Sequence, residues 1–240
     1  MSKYLIKFSS LLMIVILLCV NGTIAFSNGN TLPTSLQKNV GTIPEAKLFA
    51  TEDAGELTNF TLQAEGETLD FPKWRNVTNQ SYYPQLYSKD INNDNEKEII
   101  VVLTTGYGSD AVLQEVHVFN KQKKDNAITF YEVAVDNPIS IINKNVKSKL
   151  TKTSALIEIG NTKNKINIEK LNIEPEHIYS NIAFGNIVEF KVKDNKLLAI
   201  VGVTIAPTGG YLGDIGITYS FENNKYQADK INFFNKGVLR

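Results

Sequence analysis

Cysteine is almost absent: Cys19 is the only one in 240 residues, and it lies in the apolar stretch near the N-terminus. No disulfide can staple the rest of the chain, so its stability must come from an apolar core. Histidine is scarce as well, with only His117 and His177, and neither HExxH nor any paired-histidine spacing occurs, which leaves zinc hydrolysis without a motif. There is no Ser nucleophile elbow, so Ser-His-Asp acyl transfer has no positive sign. Net charge is missing too: 25 basic side chains balance 25 acidic ones. That removes the electrostatic case for a nucleic-acid partner or an anionic membrane surface.

What is present begins with an export signal. Lys3 and Lys7 precede the apolar core Leu11–Leu18, which has signal-peptide length and is too short to span a bilayer comfortably. Thr23 and Ala25 carry the small-residue spacing that a signal peptidase prefers, which places cleavage after Ala25. Two alternatives stand beside this: retention of the segment as an N-terminal anchor, or lipid attachment at Cys19, where Leu18 replaces the Gly, Ala or Ser usual in lipoprotein signals. Each leads to a protein that is secreted or held at the cell envelope, with no membrane contact beyond this segment. The abundance of Asn, Lys and Ile fits a bacterium with AT-rich coding.

Residues 26–44 are rich in Ser, Asn, Gly, Thr and Pro and read as a flexible linker. From 45 to 240 no stretch is long enough to be a second linker, so a single β-rich domain is expected. Phe60–Ala64, Val188/Phe190/Val192 and Ile215/Ile217/Tyr219/Phe221 alternate apolar and polar positions, as strands with one face on a core do. Ile99–Leu103 is apolar on both faces and predicts a central strand covered on both sides. One helix is predicted, with Asp136 or Asn137 as N-cap, Pro138 in the first turn, and Lys147 and Lys149 near its end. The fold class expected is mainly β, with antiparallel sheets forming a sandwich or a curled sheet and one short helix.

The stretch richest in chemistry is Asp90–Glu98, which runs straight into that central strand. Side-chain oxygens recur at every second residue, on Asp90, Asn92, Asp94, Glu96 and Glu98. A curled loop can aim such a set at one hard cation such as Ca²⁺. With Asp90 as position one, side chains serve at one, three and five, the Glu96 carbonyl at seven and the Glu98 carboxylate at nine. An EF-hand needs its acid at twelve, where Val101 stands, so this is a different loop. The spacing resembles the Asp-x-Asn-x-Asp-x-x-x-Asp/Glu loops of FG-GAP and VCBS-type repeats, in which a Ca²⁺ loop leads directly into a β-strand. More loosely, the sweep from Tyr87 through Thr104-Thr105-Gly106-Tyr107-Gly108 to Val118 is similar to secreted proteins of Gram-positive bacteria that carry one such loop. Two departures matter. Asn95 occupies the sixth position, where those loops have Gly, and Asn is among the few residues that tolerate a left-handed backbone. The loop also occurs once, whereas a propeller needs several blades, so no propeller is expected. The plain alternative is an Asx-rich surface turn whose carboxylates are solvated and paired with Lys89 and Lys97.

Elsewhere, Trp74 is expected to anchor the core, Thr105–Ser109 to be a hairpin turn rather than a phosphate loop, and Tyr82, Tyr83 and Tyr87 to pack at strand edges. Two carboxylates for glycoside hydrolysis can always be picked from 25, so that criterion decides nothing without geometry. The sequence therefore predicts an exported, non-catalytic β-domain with one structural Ca²⁺ loop, binding an extracellular or cell-envelope partner. The competing class is an extracellular hydrolase whose carboxylates converge only in three dimensions.

Overall fold

A computed structural model describes residues 36–124 and 127–235. The expected export signal and the first part of the linker lie outside the described residues. Five strands open the described chain: β1 (Lys38–Ile43), β2 (Ala46–Asp53), β3 (Glu56–Ala64), β4 (Glu67–Phe71) and β5 (Asn76–Val77). They form an antiparallel sheet in the order β1-β2-β3-β4, with β5 paired to β3. β1 corrects the linker boundary. Residues 38–43 are a strand because Val40 is buried in the core and because Gly41 lets the chain run close to Leu86, whose Cδ1 would lie 2.5 Å from an added Cβ.

The next strands are β6 (Gln85–Lys89), β7 (Glu98–Gly108), β8 (Ala111–Lys124) and β9 (Ala127–Val133), followed by the helix α1 (Pro138–Asn145). A three-stranded sheet follows, made of β10 (Val146–Leu150), β11 (Ser154–Ile159) and β12 (Thr162–Asn167). The chain then completes the large sheet with β13 (Ala183–Lys193), β14 (Lys196–Thr204), β15 (Tyr211–Glu222) and β16 (Lys225–Asn235). The order is β16-β15-β14-β13-β8-β7-β6, with β9 also paired to β8. The described strands form neither a closed barrel nor a propeller, and the protein is mainly β with a single α-helix among the described residues.

β7 is covered on both faces. Ile99, Val101 and Leu103 meet Leu48, Leu57, Phe60 and Leu62 of the first sheet. Ile100 and Val102 point the other way, into a second core with residues of α1, β11 and β13 to β16. A strand buried on both sides needs apolar residues at successive positions, which is why its run does not alternate.

β8 forks. Its start pairs in parallel with β13, at Val112 and Leu113, while its end pairs antiparallel with β9 from Val118 onward. The large sheet curls so that β16 returns to the end of β9: a parallel bridge joins Val135 to Tyr226, and the Tyr226 N–H donates to the Ala134 carbonyl at 2.9 Å. α1 buries Ile141 and Ile142 in the second core. Asn137 is its N-cap, the side-chain oxygen accepting from the Ser140 N–H at 3.0 Å. Lys147 and Lys149, read from the sequence as the end of this helix, lie on β10 instead. Eight helical residues gain little from helix propensity alone, and the antiparallel ladder between β10 and β11 takes over at Val146.

Candidate metal centre

The loop joining β6 to β7 is built on its own side chains. Asp90 lies inside the turn: Oδ1 accepts from the Asn93 N–H at 2.7 Å and Oδ2 from the Asn95 N–H at 3.0 Å. Asn92 Oδ1 accepts from the Asp94 N–H at 2.9 Å, and Asp94 Oδ1 from the Glu96 N–H at 2.8 Å. Asn93 and Asn95 take left-handed backbone, with φ of 64° and 70°. Asn95 thus adopts at the sixth position the conformation that glycine would supply more freely. Ile91, 4 % exposed, pins the loop to the second core.

Glu98 opens β7 and is fully buried. Its Oε2 accepts from the Ile91 N–H at 2.8 Å, while Oε1 has no hydrogen-bond partner among the described residues. Burial pushes this carboxyl up to about 7, the charges of Asp94 and Asp90 push the same way, and the Ile91 and Asn92 N–H groups oppose them. Two lysines beside the loop bind acids other than Asp90, Asp94 and Glu98. Lys97 binds Glu45 at 3.0 Å, and Lys123 binds Glu96 at 2.6 Å. Among the described residues, none of Asp90, Asp94 and Glu98 enters an ion pair. The Lys123 contact also occupies the Glu96 side chain, which leaves the main-chain carbonyl as that residue's free donor. The sequence reading missed Lys123; β8's alternation, continued past Phe119 to Lys121 and Lys123, was the available signal.

The donors are all hard oxygens on one short loop, which suits Ca²⁺. They are not drawn together as a finished shell: among the described residues no three His, Cys, Asp or Glu side chains are grouped closely enough to hold a metal ion. Asp94 Oδ2 is taken by the Asn92 amide at 2.8 Å, so a bound ion has to draw Asp94 away from that contact. No family model, curated protein or solved structure matches this chain.

A second concave site lies on the large sheet. The fork of β8 opens a groove of about 650 Å³ whose lining includes Glu115, His117, Glu132, Asp136 and Phe190. His117 Nδ1 lies 2.7 Å from Glu132 Oε1, and its ring stacks at 4.0 Å on Trp74, which stacks at 3.9 Å on Phe71. Trp74 is thus a core anchor, 8 % exposed. Asp136 is bound by Lys225 at 3.0 Å. Of the tyrosines, Tyr82 stacks on the half-exposed Tyr107 at 4.5 Å, Tyr83 packs on the first core and Tyr87 on the second.

Proposed function

We propose that this protein is an exported, non-catalytic β-domain that works as a binding or interaction module outside the cell or at its envelope. Its loop is a structural Ca²⁺ clasp of the kind it resembles in FG-GAP and VCBS-type repeats, held by Asp90, Asn92, Asp94, the Glu96 carbonyl and Glu98. The observation that carries this is the state of Glu98: a fully buried carboxylate at the first position of the central strand, with one oxygen unpartnered and two further acids beside it. Crowding like charges in a buried place is costly unless a cation relieves it. The clasp holds the start of β7, on which both cores rest.

The binding role is supported over hydrolysis by the groove at the β8 fork. Two of its three acids are engaged, Glu132 with His117 and Asp136 with Lys225, which leaves Glu115 without the second free carboxyl that glycoside cleavage needs. Thermal melts with excess EDTA and with 10 mM Ca²⁺ test the clasp. For a dissociation constant of about 10⁻⁴–10⁻³ M, typical of weak extracellular sites, 10 mM Ca²⁺ stabilises by about 1.4–2.7 kcal/mol. For a domain of this size that is a rise of roughly 3–11 °C. Asp94→Ala should abolish the rise. Identical melts for both proteins in both conditions would end the clasp reading.

A further inference from the structure

Three buried polar side chains lack hydrogen-bond partners among the described residues: Glu98 at Oε1 on β7, Asn120 at Oδ1 on β8 and Tyr226 at its hydroxyl on β16. Glu98 and Tyr226 are fully buried and Asn120 is 4 % exposed. They come from far apart in the chain, yet the fold brings them together. In the ladder between β7 and β8, Ile99 stands opposite Phe119. Continued by one step, that register sets Glu98 opposite Asn120 with both side chains on the same face. Tyr131 of β9 follows in the same row, opposite Asn120. The curl of the sheet bridges Tyr226 to Val135, just past the end of β9, and buries it in the core that Val118 and Val133 also enter, the face of β8 and β9 to which this row belongs. Burial first, then the charges of Glu98, Asp94 and Asp90, hold the Tyr226 hydroxyl protonated.

The chemistry of the trio is one-sided. Once Glu98 is ionised, its Oε1 is an acceptor only, as Asn120 Oδ1 is, and Tyr226 has one hydrogen to give. Excess acceptor oxygens in a space closed to water are what a hard cation takes as ligands. We propose that Asn120 Oδ1 joins Glu98 in the shell of the loop cation, and that the Tyr226 hydroxyl donates to the Glu98 carboxylate and positions it. One Ca²⁺ then ties the β6–β7 loop to β8 and to the C-terminal strand. This rests on the calcium reading of the loop and adds to it two residues outside the loop.

The test is calorimetric Ca²⁺ titration of the protein and three variants, with the melting temperature of each measured in EDTA. Tyr226→Phe keeps the ring and removes only the hydroxyl; Asn120→Leu keeps the shape and removes the oxygen. Each should weaken Ca²⁺ binding about 10–100-fold, the usual cost of losing a ligand or the group that orients one. Their ion-free melting temperatures should be unchanged or higher, because an unpartnered buried atom has been removed. Asn120→Asp, which keeps the oxygen and adds charge, should bind at least as tightly as the unaltered protein. If Tyr226→Phe and Asn120→Leu both bind Ca²⁺ within twofold of the unaltered protein, this inference is wrong and the loop reading survives. If Asn120→Leu does not fold, the Tyr226→Phe and Asn120→Asp titrations decide it by the same criterion. If the unaltered protein shows no binding at 10 mM Ca²⁺, the loop reading fails and this inference falls with it.

Discussion

Glu98 makes the ion-free protein less stable as pH rises, and the size of that loss can be worked out. Its carboxyl is raised from 4.5 to about 7, so between those values the folded protein holds a proton that the unfolded chain has released. The folded state is the greater proton binder, and unfolding free energy therefore falls with rising pH through this window and levels off above it. At about 1.4 kcal/mol per pKa unit, the loss is about 3 kcal/mol, with no discount for solvent because the side chain is fully buried. Glu98→Gln tests this, since its amide oxygen can still accept from the Ile91 N–H. In EDTA at pH 8 the variant should melt roughly 6–12 °C above the unaltered protein, and the difference should vanish as pH approaches 4.5. In Ca²⁺ the order should narrow or reverse, because only the carboxylate gains from the ion. The informative quantity is the difference between the two proteins at each pH, in which the titration of every other group cancels. Parallel profiles in EDTA, from differential scanning calorimetry or urea titration, would refute the argument that a buried, unneutralised Glu98 sets the loop's energetics.

Three further outcomes follow from the packing. Ile100→Ala removes a fully buried side chain from the second core and should cost 2–5 kcal/mol, read as a fall in the urea midpoint with the slope unchanged. Asn137→Ala removes the N-cap hydrogen bond of α1 and should cost about 1 kcal/mol by the same measurement. Lys97→Ala breaks an ion pair with Glu45 whose Lys97 side chain is 60 % exposed; it should change stability by less than about 1 kcal/mol and leave the Ca²⁺ response intact, because Lys97 does not neutralise the loop acids.

What the sequence reveals and what it hides divide along physical lines. The buried run Ile99–Leu103 announces a two-sided central strand because burial on both faces leaves no room for polar residues, and the structure places it between two cores. The tight turns are equally legible: Asp194-Asn195 and Asn223-Asn224 all take positive φ, between 51° and 60°, as two-residue hairpin loops require. Period-two reading falters where a bulge resets the phase. In β3 the buried Leu57 and Phe60 are three residues apart, and the left-handed Asn59 between them, with φ of 50°, restores the inward face for Leu62. The candidate ligands within one loop are legible because nine consecutive residues carry their own spacing. Asn120 and Tyr226 are not, since nothing in the chain between Glu98 and Tyr226 tells that a forked strand and a curled sheet will set them side by side. An isolated Asn in a strand reads as a solvent-facing residue, and a Tyr beside a turn reads as packing. Only the register of β7 against β8 and the return of β16 to the end of β9 bring them to the side of the sheet on which Glu98 is buried. The loop is thus a local feature whose buried side is completed by long-range topology, which is why Tyr226→Phe, more than 120 residues away in sequence, is the sharper test of how the site is held.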